Sequence, residues 1–426
     1  MIGLIVALFF VLLLVGFPIA IAMGGASAIA ILLDGGLHPL VLAQKVFTAN
    51  DSFALMAVPF FMLGGQIMEA THITDTLVNF AKKLVGFMRG GVAYTTIVTG
   101  VLMAGISGSA NADAAAIGSI TLNQMRKDGW DDGMSVSIVA AAGGLGPIIP
   151  PSIAMVIYCN LTGLSVGTMF LAGYLPGILL AIGYMVIAGI YAKKHNMPRT
   201  KFEGIGALVR SFGASIPALI MPVIILGGIL LGICTATEAG VLASIYGILL
   251  GIVTRRLTFR KFWECCYNAV INSAGPMAII VMANILGYLL TRHNMATMVE
   301  NFVTSISSNY IVFSLIVIVI LLIAGMFIDG TATMLMLIPI LLPLAGKFGM
   351  DSLHFAMVFM LALQTGGLTP PVGALLFIVS SVGQIPLKKC IKPIIPFVGI
   401  MLIVTVLIVF IPHIVTFIPS ALGYWE

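Results

Sequence analysis

The segment GISGSANADAAAIGSI at residues 105–120 has a counterpart in GMFIDGTATMLMLIPI at residues 325–340. At a displacement of about 220 residues their glycine and polar positions coincide: Gly105 with Gly325, Ser109 with Asp329, Asn111 with Thr331 and Ile120 with Ile340. Self-similarity at a fixed displacement is the signature of a duplicated architecture. The sequence therefore predicts two structurally equivalent halves.

Two flanking matches in the same order extend the repeat. GGLGPIIPPS at 143–152 corresponds to GGLTPPVG at 366–373, so that both carry a proline pair. Upstream, LGGQIMEATHITDTLVNF at 63–80 resembles LGYLLTRHNMATMVENF at 286–302. We expect a first repeat over residues 1–200, a cytoplasmic linker over 201–212 and a second repeat over 213–426.

The composition identifies a membrane protein. Hydrophobic residues make up 60% of the 426-residue chain and charged residues only 8%, against about 25% charged residues in soluble domains. A soluble enzyme, a nucleic-acid binder and a disordered chain are thereby excluded. The first 33 residues lack a charged side chain, and we interpret them as a retained first transmembrane segment rather than a signal peptide. The five cysteines form no CxxC pair and are expected to be small buried hydrophobes.

Apolar runs near the length of a span divide the chain into transmembrane segments. The predicted spans are 2–33, 53–70, 91–105, 134–158, 168–191, 213–233, 236–254, 268–290, 310–328, 352–380 and 393–418. Basic residues cluster between them, and the positive-inside rule places these clusters in the cytoplasm: Lys82–Lys83–Arg89, Arg126–Lys127, Lys193–Lys194–Arg199–Lys201, Arg255–Arg256–Arg260–Lys261 and Lys388–Lys389–Lys392. The C-terminus is then periplasmic. The side of the N-terminus depends on whether 73–88 spans the membrane, and Lys82 and Lys83 favour a surface location.

Glycine and proline interrupt the apolar runs at matching places in the two halves. We expect re-entrant hairpins at about 105–124 and 325–346, and broken helices at about 134–158 and 352–380. Arg126 and Lys127 border the first hairpin, whereas one Lys and one Asp follow the second, so the repeats are expected to be inverted. Short, broken hydrophobic segments at matching positions indicate a transporter's binding site.

The chemistry of the breaks suits ions. Carbonyls and hydroxyls freed at a helix break suit a small hard cation such as Na⁺, and half-helix N-termini suit an anion. The alternative is that the small residues only permit tight helix packing. Asp113 and Asp329 are candidate functional groups because ionisable residues inside a membrane are expensive. Arg292 is either a bidentate contact for a carboxylate or an anchor at the membrane interface.

Taken together, these motifs resemble the large membrane (permease) subunit of tripartite ATP-independent periplasmic (TRAP) transporters, of the ion transporter superfamily type. The resemblance covers essentially the whole chain. It implies an all-α, elevator-type secondary transporter with transport and scaffold domains, in the bacterial inner membrane. It also implies two partners, a small four-helix membrane subunit and a periplasmic substrate-binding protein, and uptake of an organic acid such as a sialic acid or a C4-dicarboxylate. Sodium ions would be the coupling ions, and no resident cofactor is expected.

By that resemblance, the hairpin tips and helix breaks hold the ions and the substrate. The implied sodium-binding residues are Ser107, Gly108, Asn111, Gly143, Gly144, Pro147, Gly325, Thr331, Gly366 and Thr369. The implied substrate-binding residues are Ser107, Ser109, Ser152, Arg292, Asp329, Thr333 and Pro370. Segments 213–254 and 255–267 would belong to the scaffold.

Other functions were weighed against transport. Gly105–Gly108 matches the GxSG pattern of intramembrane serine proteases, but no histidine lies in the AHxxG context that such an enzyme needs. An ATP-driven pump would need a GxxxxGK[ST] loop, which the sequence lacks. We therefore expect no enzyme activity. A channel, or a stand-alone dicarboxylate symporter without a binding protein, stays open, as do the substrate and proton coupling through Asp113 or Asp329.

Overall fold

The structure is a computed structural model that describes residues 1–306, 309–371 and 373–425. Val372, inside the predicted second broken helix, and Glu426, at the C-terminus, lie outside the described residues. The described chain is helical, with α-helices α1 Ile2–Leu14, α2 Ile19–Asp34, α3 Leu40–Asn50, α4 Ala57–Ala70, α5 Thr74–Val85, α6 Gly91–Ser107, α7 Ala110–Lys127, α8 Asp132–Gly143, α9 Ile153–Thr162, α10 Val166–Lys194, α11 Ile205–Leu230, α12 Ala236–Val253, α13 Phe259–Arg292, α14 Met295–Ile306, α15 Tyr310–Phe327, α16 Gly330–Lys347, α17 Ser352–Leu368, α18 Ala374–Gly383, α19 Ile391–Phe410 and α20 His413–Ala421.

Seven of these helices are long and apolar enough to cross a membrane, counted over the described residues. They are α10, α11, α12, α13, α15, α16 and α19. Several shorter apolar helices accompany them, including α6, α9, α17 and α18. An all-helical multi-pass membrane protein is therefore confirmed.

The internal repeat is confirmed at the level of helix boundaries. α7 and α16 begin and end exactly 220 residues apart, at Ala110 and Gly330 and at Lys127 and Lys347. α8 and α17 also begin 220 residues apart. Each half contains a helical hairpin, α6–α7 or α15–α16, followed by a helix broken in its middle, α8–α9 or α17–α18.

The same side chains start equivalent helices in the two halves. Asp131 accepts a hydrogen bond from the Met134 N–H at 3.0 Å, and Asp351 accepts one from the His354 N–H at 2.9 Å. Each carboxylate thus satisfies an N–H that has no partner inside its helix. This local chemistry fixes where α8 and α17 begin.

The hairpins are longer than the sequence analysis placed them. Predicted spans 91–105 and 310–328 are the first arms of the hairpins, so the predicted ranges 105–124 and 325–346 cover little more than the second arms. The tips lie at Gly108–Ser109 and Ile328–Asp329. Hydropathy misplaced the start because an arm of a hairpin and a complete span are equally apolar.

Three further boundaries differ from the prediction. Residues 2–33 form two helices, α1 and α2, which pack together, because Gly16 and Pro18 interrupt the run. Two thirds of the predicted linker 201–212 is helical, since α11 begins at Ile205. The last predicted span, 393–418, is divided between α19 and α20. α5 has 12 residues, about 18 Å, which is too short to cross the membrane.

The helices pack into two groups. The first helix group comprises α1–α4 and α11–α13, and the second comprises α6–α10 and α15–α20. Two short helices bridge them: α5 packs on α6 and α11, and α14 packs on α13 and α16. The second helix group contains both hairpins and both broken helices.

The broken helices lie at the centre of the second helix group. In α8 every residue from Gly133 to Gly143 is buried, and α17 is buried along most of its length. Backbone that leaves the helical conformation at membrane depth must be covered by protein or line a wet cavity. The packing therefore explains how the two breaks are tolerated.

Candidate functional site

A cavity of about 920 Å³ lies between the two helix groups. We call it the central cavity. Its walls come from α4 and α13 in the first group, and from both hairpin tips, α9, α17 and α18 in the second. The two halves of the sequence therefore meet at one site.

The first hairpin tip turns at Gly108. This residue has φ +58°, and an added Cβ would lie 2.8 Å from the Pro151 carbonyl oxygen. Glycine is required both for the left-handed backbone and for the close approach. The tip of the hairpin is thus seated on the break between α8 and α9.

Hydrogen bonds inside this tip orient a buried carboxylate. The Ser107 hydroxyl donates to Asp113 Oδ1 at 2.6 Å, and it accepts the Ser109 N–H at 3.1 Å. Asp113 is fully buried, and its Oδ2 has no hydrogen-bond partner among the residues that the structure describes. A Cβ on Gly146 would lie 2.8 Å from Oδ2, so the carboxylate faces the helix break at a glycine.

A cation fits this arrangement. An ionised carboxylate buried without a partner costs several kcal/mol, so such groups are paired, protonated or bound to a cation. Carboxylate, hydroxyl and carbonyl oxygens are the ligands of hard cations. Asp113 and Ser107 supply the first two kinds, and the break that holds Gly146 supplies carbonyls. Among the described residues no cluster of three His, Cys, Asp or Glu side chains could hold a metal.

The second hairpin tip presents an acid to the central cavity. Asp329 is exposed, and its Oδ1 accepts the Thr331 N–H at 2.9 Å, which caps α16. The Thr333 hydroxyl donates to the Asp329 carbonyl oxygen at 3.1 Å. Asp329 occupies the same N-cap position as Ser109 in the first half, as the sequence alignment predicted.

Eight of the predicted site residues line the central cavity. They are Ser107, Gly108, Ser109, Asn111, Pro147, Gly325, Asp329 and Thr331. The structure thus brings both hairpin tips together with one helix break, which the repeat alone could not show.

The other predicted residues support the site without lining the cavity. Gly143 packs against Ala114, Gly144 lies near the Gln364 amide, and Gly366 contacts Gly325 so closely that a Cβ would collide. Ser152 caps α9 and donates to the Pro147 carbonyl at 2.9 Å. Thr333 is buried, Thr369 donates to the Thr365 carbonyl at 2.6 Å, and Pro370 lies next to Thr369 at the second break. Gly143 and Gly366 are therefore tightly packed, and their role as sodium ligands stays a prediction.

Arg292 is not brought to the predicted substrate site. It is the last residue of α13, and its Nε lies 4.0 Å from Asp34 Oδ2, with His293 on the same carboxylate at 3.4 Å. The pair joins α13 to the end of α2. The sequence indicated a cationic side chain near the end of a span. It did not show where that end would lie relative to the cavity.

Several residues in or beside the central cavity were absent from the predicted site. Asp113 was noted as an intramembrane acid, but its contact with Ser107 and Gly146 appears only in the structure. Gln364 lines the cavity, and its buried Nε2 has no partner within the described part of the chain. Lys261, Glu264, Asn268 and Asn272 line it from α13. Their spacing of three or four residues is a helical signal that could have been found.

Ser107, the serine of the GxSG pattern, has a carboxylate as its hydrogen-bond partner. The Ser107 hydroxyl donates to the Asp113 carboxylate rather than to a histidine. A carboxylate alone does not constitute the nucleophile–base–orienter arrangement of a serine hydrolase.

Comparisons with known proteins agree with the geometry. The family model described as "Tripartite ATP-independent periplasmic transporter, DctM component" matches residues 6–414. The chain is 34% identical to the sialic acid TRAP transporter large permease protein SiaM of Vibrio cholerae, over 97% of this chain and 98% of that protein. It is 34% identical to the C4-dicarboxylate TRAP transporter large permease protein DctM of Pseudomonas aeruginosa, over 94% of each. In fold it resembles the YdaH transporter of Alcanivorax borkumensis, with a TM-score of 0.59 at 12% identity, over 87% of this chain and 86% of that one. The chain therefore belongs to the DctM family of TRAP transporter large permeases.

Proposed function

We propose that this chain is the membrane-spanning core of a Na⁺-coupled secondary transporter that takes up an organic acid anion. It would work with a small four-helix membrane subunit and a periplasmic binding protein, in the bacterial inner membrane. Family membership supports transport and the general kind of partners. Sodium coupling and the transport motion rest on the geometry of the site.

The observation that carries sodium coupling is the unpartnered Oδ2 of Asp113. This oxygen is buried beside a helix break, in a residue that is fully buried. Binding of Na⁺ there would join the first hairpin tip to the α8–α9 break and order both. A bound cation would also lower the electrostatic cost of bringing an anion into the central cavity.

Asp329 disfavours binding of the anion in the absence of a cation. Its carboxylate faces the cavity at the second tip and repels an anion, whereas the N-terminus of α7 attracts one. An anion alone would therefore bind poorly, and a cation near the tips would make binding favourable. Coupling arises because the fully loaded and half-loaded states differ in free energy.

The transport motion would be a movement of the second helix group past the first. The cavity lies at the boundary between these groups. Its lining includes His72, Glu264 and Lys261, and Lys261 belongs to the basic cluster that the positive-inside rule places in the cytoplasm. The conformation described here would thus be open to the cytoplasm, and an elevator movement would carry the tips to the periplasmic side.

Reconstitution tests this proposal. The chain would be placed in proteoliposomes with its small subunit, with the cognate binding protein outside, and uptake of labelled N-acetylneuraminate and succinate would be followed. We expect uptake of one acid that requires both the binding protein and an inward Na⁺ gradient.

Three other outcomes of the uptake assay would each support an alternative function. Uptake that persists without the binding protein would identify a stand-alone symporter. Uptake driven by a proton gradient with K⁺ replacing Na⁺ would contradict sodium coupling and assign proton coupling. Movement of the labelled acid only down its own pre-formed gradient, with no requirement for a coupling ion, would identify a channel.

A further inference from the structure

The α13 wall of the central cavity carries a row of polar residues. Lys261, Glu264, Asn268 and Asn272 recur every three or four positions and line the cavity together. Residues spaced in this way lie on one face of a helix. At a rise of about 1.5 Å per residue, Asn268 and Asn272 lie about 10 and 16 Å deeper along the helix than Lys261.

Asn268 and Asn272 are exposed side chains that have no hydrogen-bond partner among the described residues. A polar side chain at membrane depth is expensive unless a wet cavity or a ligand satisfies it. Pro276, one turn further on, has no N–H, so the Asn272 carbonyl lacks its usual helical donor. A Cβ on Gly275 would meet nothing within 4 Å, so this part of the wall leaves space. Two amides therefore line the cavity, beside a glycine that leaves space and a carbonyl that lacks its usual helical donor.

The charges of the cavity argue against a doubly charged ligand. Within the described lining, the cationic candidates are Lys261 and His72, against the acids Glu69, Glu264 and Asp329, and His72 lies 3.4 Å from Asp75. Lys261 already donates to the Ala70 carbonyl at 3.3 Å, and Arg292 is held by Asp34. A second carboxylate would thus find no cationic side chain in the described lining that is free of another partner. Neutral donors and acceptors are plentiful there, including Asn111 and Gln364.

We propose that Asn268 and Asn272 form the hydroxyl-binding face of the substrate site, and that the substrate is a singly charged, hydroxyl-rich acid rather than a dicarboxylate. The inference rests on the proposed function and narrows its substrate class. The carboxylate of the substrate lies at the hairpin tips, and its hydroxyl or carbonyl groups exchange hydrogen bonds with the amides of α13. Asn268 and Asn272 are therefore specificity-determining residues.

The test measures equilibrium binding to the purified complex of the chain with its small subunit, in NaCl. The binding protein is left out so that its own selectivity does not affect the result. The probes are labelled N-acetylneuraminate and gluconate, both singly charged and hydroxyl-rich, and succinate, which is doubly charged. The variants are Asn268→Ala and Asn272→Ala. Asn284→Ala is the matched control, because Asn284 is also exposed on α13 but does not line the cavity.

We expect the wild type to bind at least one hydroxyl-rich probe more tightly than succinate. Each cavity variant is expected to weaken that binding about tenfold, the effect of losing one or two neutral hydrogen bonds, whereas Asn284→Ala leaves it unchanged. Unchanged size-exclusion profiles would exclude misfolding as the cause.

The results that overturn the inference are distinct from those that overturn the proposed function. Preferred binding of succinate, or equal affinities in the cavity variants and in Asn284→Ala, would refute the hydroxyl-binding face while leaving Na⁺-coupled transport intact. Failure of all three acids to bind in NaCl would count against both proposals.

Discussion

The buried carboxylate of Asp113 is the feature that most clearly distinguishes this site from an ordinary contact between helices. Its Oδ1 is satisfied by Ser107 at 2.6 Å, and its Oδ2 is left facing Gly146 without a partner in the described chain. Oδ1 therefore holds the carboxylate in position, and Oδ2 is available to a ligand. Either a proton or a bound cation makes this burial favourable, and the proposed function assigns the cation.

Replacing Asp113 with Asn should separate charge from shape. The amide keeps the volume and can still accept from Ser107, but it lacks the negative charge, so we expect Na⁺ affinity to fall about 10- to 100-fold, the range for losing a charged ligand. Thermal unfolding in NaCl and in KCl measures this. Na⁺ at ten times its dissociation constant stabilises the wild type by about 1.4 kcal/mol, and D113N should lose that increment.

The matched control is D128N. Asp128 follows the same helix, is half-buried, and accepts a hydrogen bond from Gln124 at 2.8 Å. The Na⁺-dependent stabilisation should be normal in this variant. An equal Na⁺ response in D113N and wild type would show that Asp113 is not a ligand.

At the scale of elements, the contact between a hairpin tip and a helix break makes the site. Gly108 packs on Pro151 and Ser152 in the first half, and in the second Gly325, near the end of α15 and close to the tip, packs on Gly366, near the end of α17. Neither contact joins neighbours in sequence. The tips are therefore held by the broken helices, and a change at either contact is expected to act on the ion and substrate sites at once.

Gly108→Ala tests the first of these contacts. The substitution forces a left-handed alanine, at a cost of about 1–2 kcal/mol, and adds a methyl group 2.8 Å from the Pro151 carbonyl oxygen. We expect a lower unfolding temperature and loss of uptake in proteoliposomes. Gly129→Ala is the control, because Gly129 also has positive φ but a Cβ there meets nothing within 4 Å. If G108A transported as well as G129A, the seating of the tip would be irrelevant to function.

A charge cluster ties the α7–α8 junction to the segment before α19. Asp132 accepts from Arg126 Nε at 2.9 Å and lies 3.6 Å from Lys389 Nζ. The hydrogen bond from the Arg126 guanidinium, helped by Lys389, lowers the pKa of Asp132 below its ordinary value. The stabilisation is therefore complete above the unfolded-state pKa of about 3.9 and is lost as the pH falls through the lower folded-state pKa.

Asp132→Asn should show this pH dependence in thermal unfolding. We expect the variant to be less stable than the wild type by about 0.2–1 kcal/mol between pH 5 and 8, as for an exposed ion pair. The difference should shrink below about pH 4, where the wild-type carboxylate becomes protonated. D128N, which removes a carboxylate that forms no ion pair among the described residues, should change little. A difference that stayed constant to pH 3 would contradict the assignment.

At the scale of the whole molecule, the division into two helix groups gives the proposed motion its geometry. α13 packs on α16 across the boundary, and the bridging helices α5 and α14 occupy equivalent places in the two halves. Movement of one group past the other would change the α13–α16 contact and leave contacts within each group intact.

A disulfide across the boundary should stop transport. A Cβ on Gly287 of α13 would lie 3.8 Å from Pro339 Cβ of α16, within the range for disulfides. In a background without the five native free cysteines, oxidised G287C/P339C should lose uptake, and reduction should restore it. The measurement is uptake in proteoliposomes before and after a reducing agent.

The control disulfide joins two helices of the same group. A Cβ on Gly183 of α10 would lie 3.6 Å from Ile400 Cβ of α19, so G183C/I400C should cross-link without affecting uptake. Full activity of the oxidised G287C/P339C protein would rule out a relative movement of α13 and α16.

The sequence by itself determined the class, the duplication and the approximate positions of the breaks. Low charge content excludes a soluble protein, and glycine and proline mark the breaks, because these effects act locally along the chain. The two starts of the broken helices, at Asp131 and Asp351, are encoded in the same way. Where hydropathy was the only signal, as in the hairpin arms and in residues 2–33, the boundaries were wrong, since apolar runs do not show where a helix turns back.

Only the tertiary structure decided which of these residues meet. It places Asp113 against Gly146, brings Asp329 and α13 to the same cavity as the first tip, and holds Arg292 with Asp34 instead. Such contacts join elements far apart in sequence, and they depend on how whole helix faces pack. A local pattern cannot specify them, because the same acid or arginine is equally compatible with a cavity, an interface or an ion pair until its neighbours are fixed.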